Sequence, residues 1–151
     1  MIKGIEMSLG KPAQQTLIIF LILVALLGCS QKVSELAGTD WELTSLDGKS
    51  LIEGTTIPLS FAEEYLGGEM DCNHFGGSPD GGKYRATGDG TFALILPLAV
   101  TVQLCTEPEG IMEQEAAYIE ALMNAANFSM VDNRLEIDNE DGETILIFQA
   151  K

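Results

Sequence analysis

The chain has 151 residues, 8 Lys and Arg against 23 Asp and Glu, and a formal net charge of −15. Such a balance excludes nucleic acid, whose binding is driven by cations neutralising phosphates, and docking on anionic lipid through a basic patch. Its ordinary meaning is solubility and self-avoidance, and a chain of this length makes one domain able to bury a core without metal.

Lys3 and Lys11 precede an unbroken apolar run from Leu17 to Leu27, which Gly28-Cys29-Ser30 ends. A basic region, an apolar stretch and a small residue before a cut make a secretory signal. The run is short of the roughly 20 residues a membrane-spanning helix needs. Leu26-Leu27-Gly28-Cys29 resembles the bacterial lipobox. The expectation is therefore a signal peptide over residues 1–28, a lipidated Cys29 with a tether over 29–37, and a folded domain over 38–151. An uncleaved N-terminal anchor is the alternative. In either case the domain sits in the cell envelope, held to a membrane and facing the periplasm or the exterior.

Gly38 to Leu46 alternates, with Trp41 and Leu43 on one side and Glu42 and Thr44 on the other, which predicts a strand. Asp47-Gly48 is a turn dipeptide. Ile57, Leu59 and Phe61 alternate again, with Pro58 marking an edge or a strand start. A weaker strand over Tyr65 to Asp71 carries Gly67-Gly68, a sign of a bulge or of close backbone approach. The glycine-rich middle reads as a loop over Gly76 to Gly82, a strand over Lys83 to Thr87, a turn at Gly88-Asp89-Gly90 and a strand over Thr91 to Ile95. Leu98 to Leu104 is a further extended run.

Thr106-Glu107-Pro108-Glu109 has the form of a capping box, with Thr106 as N-cap and Glu109 closing it. Met112, Ala116, Ile119, Met123 and Ala126 then recur at helical spacing, which predicts a helix with that stripe in the core. Phe128 to Val131, Leu135 to Ile137 and Thr144 to Phe148 are the closing strands, separated by turns at Asp132-Asn133 and Asp138 to Gly142. The sum is a mainly β, α+β fold: a closed or half-closed antiparallel barrel of about eight short strands with one helix late in the chain.

Cys72 stands two residues from His74, the only histidine, in Met70-Asp71-Cys72-Asn73-His74-Phe75-Gly76-Gly77. With Cys29 assigned to lipid, Cys72 and Cys105 are an even pair in an oxidising compartment, which favours a disulfide over reduced core thiols. The link closes a loop of about 33 residues and adds roughly 2–4 kcal/mol. Cys72, His74 and Cys105 offer too few ligands for a structural zinc site, and a thiol nucleophile needs a base. Asn73 suits a structural turn with Gly76 and Gly77, its amide bonding backbone groups. The Asp138 to Glu143 stretch does not fit a calcium loop, because Gly142 falls on a ligand position. No metal, cofactor or catalytic residue is assigned.

Gly38-Thr39-x-Trp41-x-Leu43, Cys72-Asn73-x-Phe75-x-Gly77, Thr101-x-x-x-Cys105 and the helix from Gly110 to Leu122 occur in an order similar to the META/HslJ-like domain of bacterial envelope proteins. The resemblance runs from Leu36 to Phe148. It implies a compact barrel-like domain around one helix and a link to heat-shock or envelope stress and to novobiocin resistance. Asp71 departs from the pattern, since a glycine usually precedes Cys-Asn; Asp tolerates φ > 0 better than most residues.

The functional expectation is a monomeric, non-enzymatic lipoprotein domain that binds an unknown envelope protein or other envelope component. Two alternatives remain open at this point. One is an inhibitor of an envelope or host enzyme, a protease or lysozyme, where rigid loops limit the ordering cost of binding. The other is a small-ligand carrier using the barrel interior.

Overall fold

The structure, a computed structural model, describes residues 34–77, 81–95 and 97–151. The expected signal segment and Cys29 lie outside the described residues. Among the described residues nine strands and one helix follow in order: β1 (Thr39–Leu46), β2 (Pro58–Phe61), β3 (Leu66–Glu69), β4 (His74–Gly76), β5 (Tyr84–Ala86), β6 (Phe92–Leu94), α1 (Ile111–Met123), β7 (Asn127–Val131), β8 (Arg134–Asp138) and β9 (Thr144–Ala150).

Seven strands form one antiparallel sheet in the order β4-β3-β2-β1-β9-β8-β7, and β5 and β6 form a separate hairpin. Alternation sets which side chains face the core. Trp41, Leu43, Leu59, Phe61, Leu135, Ile137, Leu146 and Phe148 all turn inward and are buried. A register shift against β9 between Leu43 and Ser45 makes Leu46 the next buried residue of β1 in place of Ser45. The folded part begins before residue 38, because Leu36 lies in the core and the Gly38 N–H donates to the Phe61 carbonyl at 2.7 Å. At the other terminus the Lys151 N–H donates to the Asp40 carbonyl at 3.1 Å.

Of the closed or half-closed barrel expected, the closed form is not seen: the seven-stranded sheet stays open. The edges β4 and β7 do not pair, because each is engaged elsewhere. Residues 97–101 run beside β4, with the Ala99 carbonyl accepting from the Gly76 N–H at 2.8 Å and the Thr101 N–H donating to the His74 carbonyl at 3.0 Å. The β5–β6 hairpin covers β7 instead, through the Phe92 N–H to the Ala126 carbonyl at 2.8 Å and the Phe128 N–H to the Gly90 carbonyl at 2.7 Å. The same hairpin touches the start of β3 through a Tyr65–Lys83 bridge. Gly67 and Gly68 answer to close approach: a Cβ at Gly67 would stand 2.5 Å from the Gly77 nitrogen, and one at Gly68 would overlap the Pro58 carbonyl oxygen.

α1 packs on the sheet through Tyr118, whose ring meets Phe75 edge-on at 5.3 Å and Phe148 at 6.5 Å. Two expectations for this helix fail. Thr106 and Glu109 do not cap it. Gly110 is the N-cap, at φ +86, so the right-handed run starts only at Ile111, whose N–H donates to the Pro108 carbonyl at 3.1 Å. A left-handed residue ends any helical continuity with the segment before it. The stripe facing the core is also a different one. Ile111, Glu115, Tyr118, Ala121 and Leu122 are buried, whereas Ala116 and Met123 are exposed and Met112 and Ile119 only half-buried.

Candidate functional site

Glu115 sits on the inward stripe of α1 and is 3% exposed. One of its oxygens accepts the backbone N–H of Cys72 at 2.7 Å and that of Asn73 at 3.2 Å. The other accepts Asn73 Nδ2 at 2.8 Å. The carboxylate is thus met by three N–H donors rather than by a cation, an arrangement of strong charge-assisted bonds. It fixes the Cys72–Asn73 loop to the middle of the helix.

Asn73, also 3% exposed, spends its remaining capacity on the neighbouring segment. Its Oδ1 accepts from the Gln103 N–H at 2.7 Å and from Thr101 Oγ1 at 3.0 Å, and its Nδ2 also donates to the Gln103 carbonyl at 3.2 Å. The Asn73 amide does bond backbone groups, but these partners lie about thirty residues on, not in the expected local turn with Gly76 and Gly77. Those two glycines do adopt left-handed φ values of 62 and 76. Cys72 and Cys105 are joined as a disulfide with their Cα atoms 6.1 Å apart, so the segment that Asn73 holds is stapled at its far end as well. Asp71 does not take φ > 0; its carboxylate instead accepts the Thr56 N–H at 3.0 Å. Gln114 adds a further tie, accepting the Ile52 N–H at 2.7 Å and donating to Thr55 Oγ1 at 3.0 Å.

His74 is exposed on β4 and faces Glu69 at 3.5 Å, itself exposed. It does not join the Cys72 sulfur in any site. Among the described residues no group of three His, Cys, Asp or Glu is placed to hold a metal ion. None of the described helices is long and apolar enough to cross a membrane.

Beside the Glu115–Asn73 network a cleft of about 600 Å³ opens between α1 and residues 100–102. Met112, Ala116, Ile119 and Met123 form one wall, and Val100 and Val102 stand in the other. Glu115 and Asn73 reach its floor but are committed to internal hydrogen bonds. Val102 is 99% exposed, Leu104 83% and Met123 59%. The stripe read from the sequence as core is therefore a cleft wall. Sequence reasoning missed Glu115 altogether. Its signal is its period, because Ile111, Glu115, Tyr118 and Leu122 share one helical face, where a carboxylate is out of place unless it has donors to meet.

The family model of the META domain matches residues 34–151. No curated protein matches the chain. Three solved structures share its fold. One, determined by NMR, is 23% identical, covers 76% of this chain and 91% of its own, and superposes with a TM-score of 0.56. A Burkholderia xenovorans protein, also determined by NMR, is 19% identical over 100% of this chain and 95% of its own, with a TM-score of 0.55. A DUF4847 family protein from Bacteroides vulgatus is 16% identical over 76% and 94%, with a TM-score of 0.52.

Proposed function

Since the chain belongs to the META domain family, we propose that it is a non-enzymatic cell-envelope lipoprotein, anchored through lipid on Cys29, that supports envelope or heat-shock stress tolerance by binding another envelope component. The observation that carries the binding role is the cleft: its walls are apolar, and the buried polar groups at its floor are already spent inside the protein. Apolar walls with satisfied polar groups bind without supplying an acid, base or nucleophile. The apolar run before Gly28-Cys29 supports export.

Two measurements test this. Mass spectrometry of the intact protein from its native membrane should find residues 1–28 removed and lipid on Cys29; a product that keeps those residues overturns the anchor. In cells, Ala116→Trp, which fills the cleft from an exposed helix position, should reproduce the deletion phenotype under heat, novobiocin or envelope stress while the protein level holds. A deletion with no phenotype under any of these overturns the stress role.

An enzyme inhibitor is the second reading, and one observation favours it: the exposed Val102 and Leu104 lie on a segment held by both Asn73 and the disulfide. Inhibition assays against a panel of proteases and lysozyme separate it from the first. A carrier using the domain interior is disfavoured, since Trp41, Phe61, Phe92 and Phe148 fill that space.

A further inference from the structure

The edge of the sheet beside the cleft carries unused hydrogen-bonding groups. Pro97, Ala99 and Thr101 turn their backbone groups toward β4 and its neighbours: the Pro97 carbonyl accepts from Gly82, the Ala99 carbonyl from Gly76, and the Thr101 N–H donates to His74. Val100 stands opposite Phe75 between the last two of these bonds. In an antiparallel ladder that position sends its N–H and C=O to the far side. The alternation does the same for Leu98 and Val102. Among the described residues none of these outward groups takes a hydrogen bond. The opposite edge of the sheet, β7, is paired with the hairpin, so residues 98–102 are where the sheet can grow.

Charge narrows the occupant. From Ala86 to Asn133 the chain contains no Lys or Arg. Over the same span Glu107, Glu109, Glu113 and Glu120 are exposed around the cleft-forming segments, and Glu120 lines the cleft itself. A second copy would bring the same negative edge to this one, and like charges repel. An acyl chain would leave the outward N–H and C=O groups without partners.

We propose that the cleft takes an extended peptide segment of alternating apolar and basic residues, added as a strand to the Leu98–Val102 edge with its apolar side chains against Met112, Ala116, Ile119 and Met123. The proposal rests on the binding role above and names its partner class. Main-chain bonds to the edge supply affinity and the alternate side chains supply selectivity, as in other strand-addition sites. Basic flanks meet the glutamates and raise the association rate.

The test uses the full chain with its disulfide intact and capped peptides of about ten residues that alternate valine with lysine, with serine or with glutamate. Fluorescence anisotropy should show saturable binding of the valine–lysine peptide, weaker by at least about tenfold for the valine–glutamate peptide. N-methylation of the amides on the edge-facing side should cost at least about tenfold, because those donors are lost. Val102→Pro, which removes one outward N–H, should do the same with an unchanged near-ultraviolet circular dichroism spectrum, and Ala116→Trp should abolish binding. Equal binding of the N-methylated peptide overturns the strand, and so does binding of none of the peptides up to about 1 mM. Sedimentation showing self-association blocked by Val102→Pro makes a second copy the occupant and overturns the peptide. A stress phenotype for Ala116→Trp in cells, with no peptide bound in solution, keeps the binding role and rejects only the strand.

Discussion

Glu115 on α1 accepts the backbone N–H of Cys72 at 2.7 Å, across a sequence separation of 43 residues. This bond and its companions to Asn73 join the helix to the stapled loop and so set the floor of the cleft. Replacing the carboxylate with a methyl leaves three buried donors unmet. Glu115→Ala should therefore destabilise the domain by about 3 kcal/mol, and Glu115→Gln, which keeps one acceptor, by about half as much. Urea denaturation of the two variants checks both the sign and the order.

The disulfide constrains the unfolded chain over 33 residues. Converting Cys72 and Cys105 together to serine should lower stability by about 2–4 kcal/mol. Because Cys72 is also a Glu115 partner, the loss on combining this change with Glu115→Gln should fall short of the sum. Denaturation of the single and combined variants, with and without reductant, reads the coupling.

Tyr118 is fully buried and its hydroxyl has no partner among the described residues. Burial holds its ionisation well above the ordinary phenol range, and burial also raises Tyr84, against a smaller opposing effect of Ser34. A raised folded pKa gives stability that is complete below the unfolded value, near pH 10, and that falls as the pH climbs toward the folded one. Tyr118→Phe should raise stability at neutral pH by about 1 kcal/mol, by removing an unmet polar group, and should move the alkaline unfolding midpoint upward. Denaturant titrations at several pH values from about 8 to about 12 test both effects.

Asp89, fully exposed in the turn before β6, has its carboxyl held down to about 2 from 3.8, first by the Thr87 hydroxyl at 2.5 Å and then by the Thr91 N–H at 3.1 Å. A lowered folded pKa gives stability present above the unfolded value and lost as pH falls to the folded one. The difference in melting temperature between the native chain and Asp89→Ala should accordingly narrow between about pH 4 and about pH 2, which thermal melts across that range will show.

Much of the strand order was legible because alternation and turn residues punctuate it. Ile57, Leu59 and Phe61 mark β2, Asp47-Gly48 closes β1, and Asp132-Asn133 separates β7 from β8. The Cys72–Cys105 link followed from count and compartment. β4 was hidden, since a three-residue strand beside Gly76 and Gly77 has no period to read. The helix misled for a definite reason. It carries two apolar stripes, and spacing alone cannot say which one meets the core. The inner stripe contains Glu115, which looks like the wrong residue to bury until the amides of Cys72 and Asn73 are seen beside it. Whether the sheet closes fully or only in part was left open by the sequence, because it depends on residues 97–101 and the β5–β6 hairpin claiming the two edges.

The bond between Lys151 and Asp40 places both ends of the domain at one pole. Thr56, Asp71 and the stapled Cys72 gather at the other, where β1 ends and β2 begins. Any anchor, tag or support attached through either end grips the molecule by the same pole. A sensor chip that captures the protein by its C-terminus therefore holds the domain by the pole opposite the disulfide.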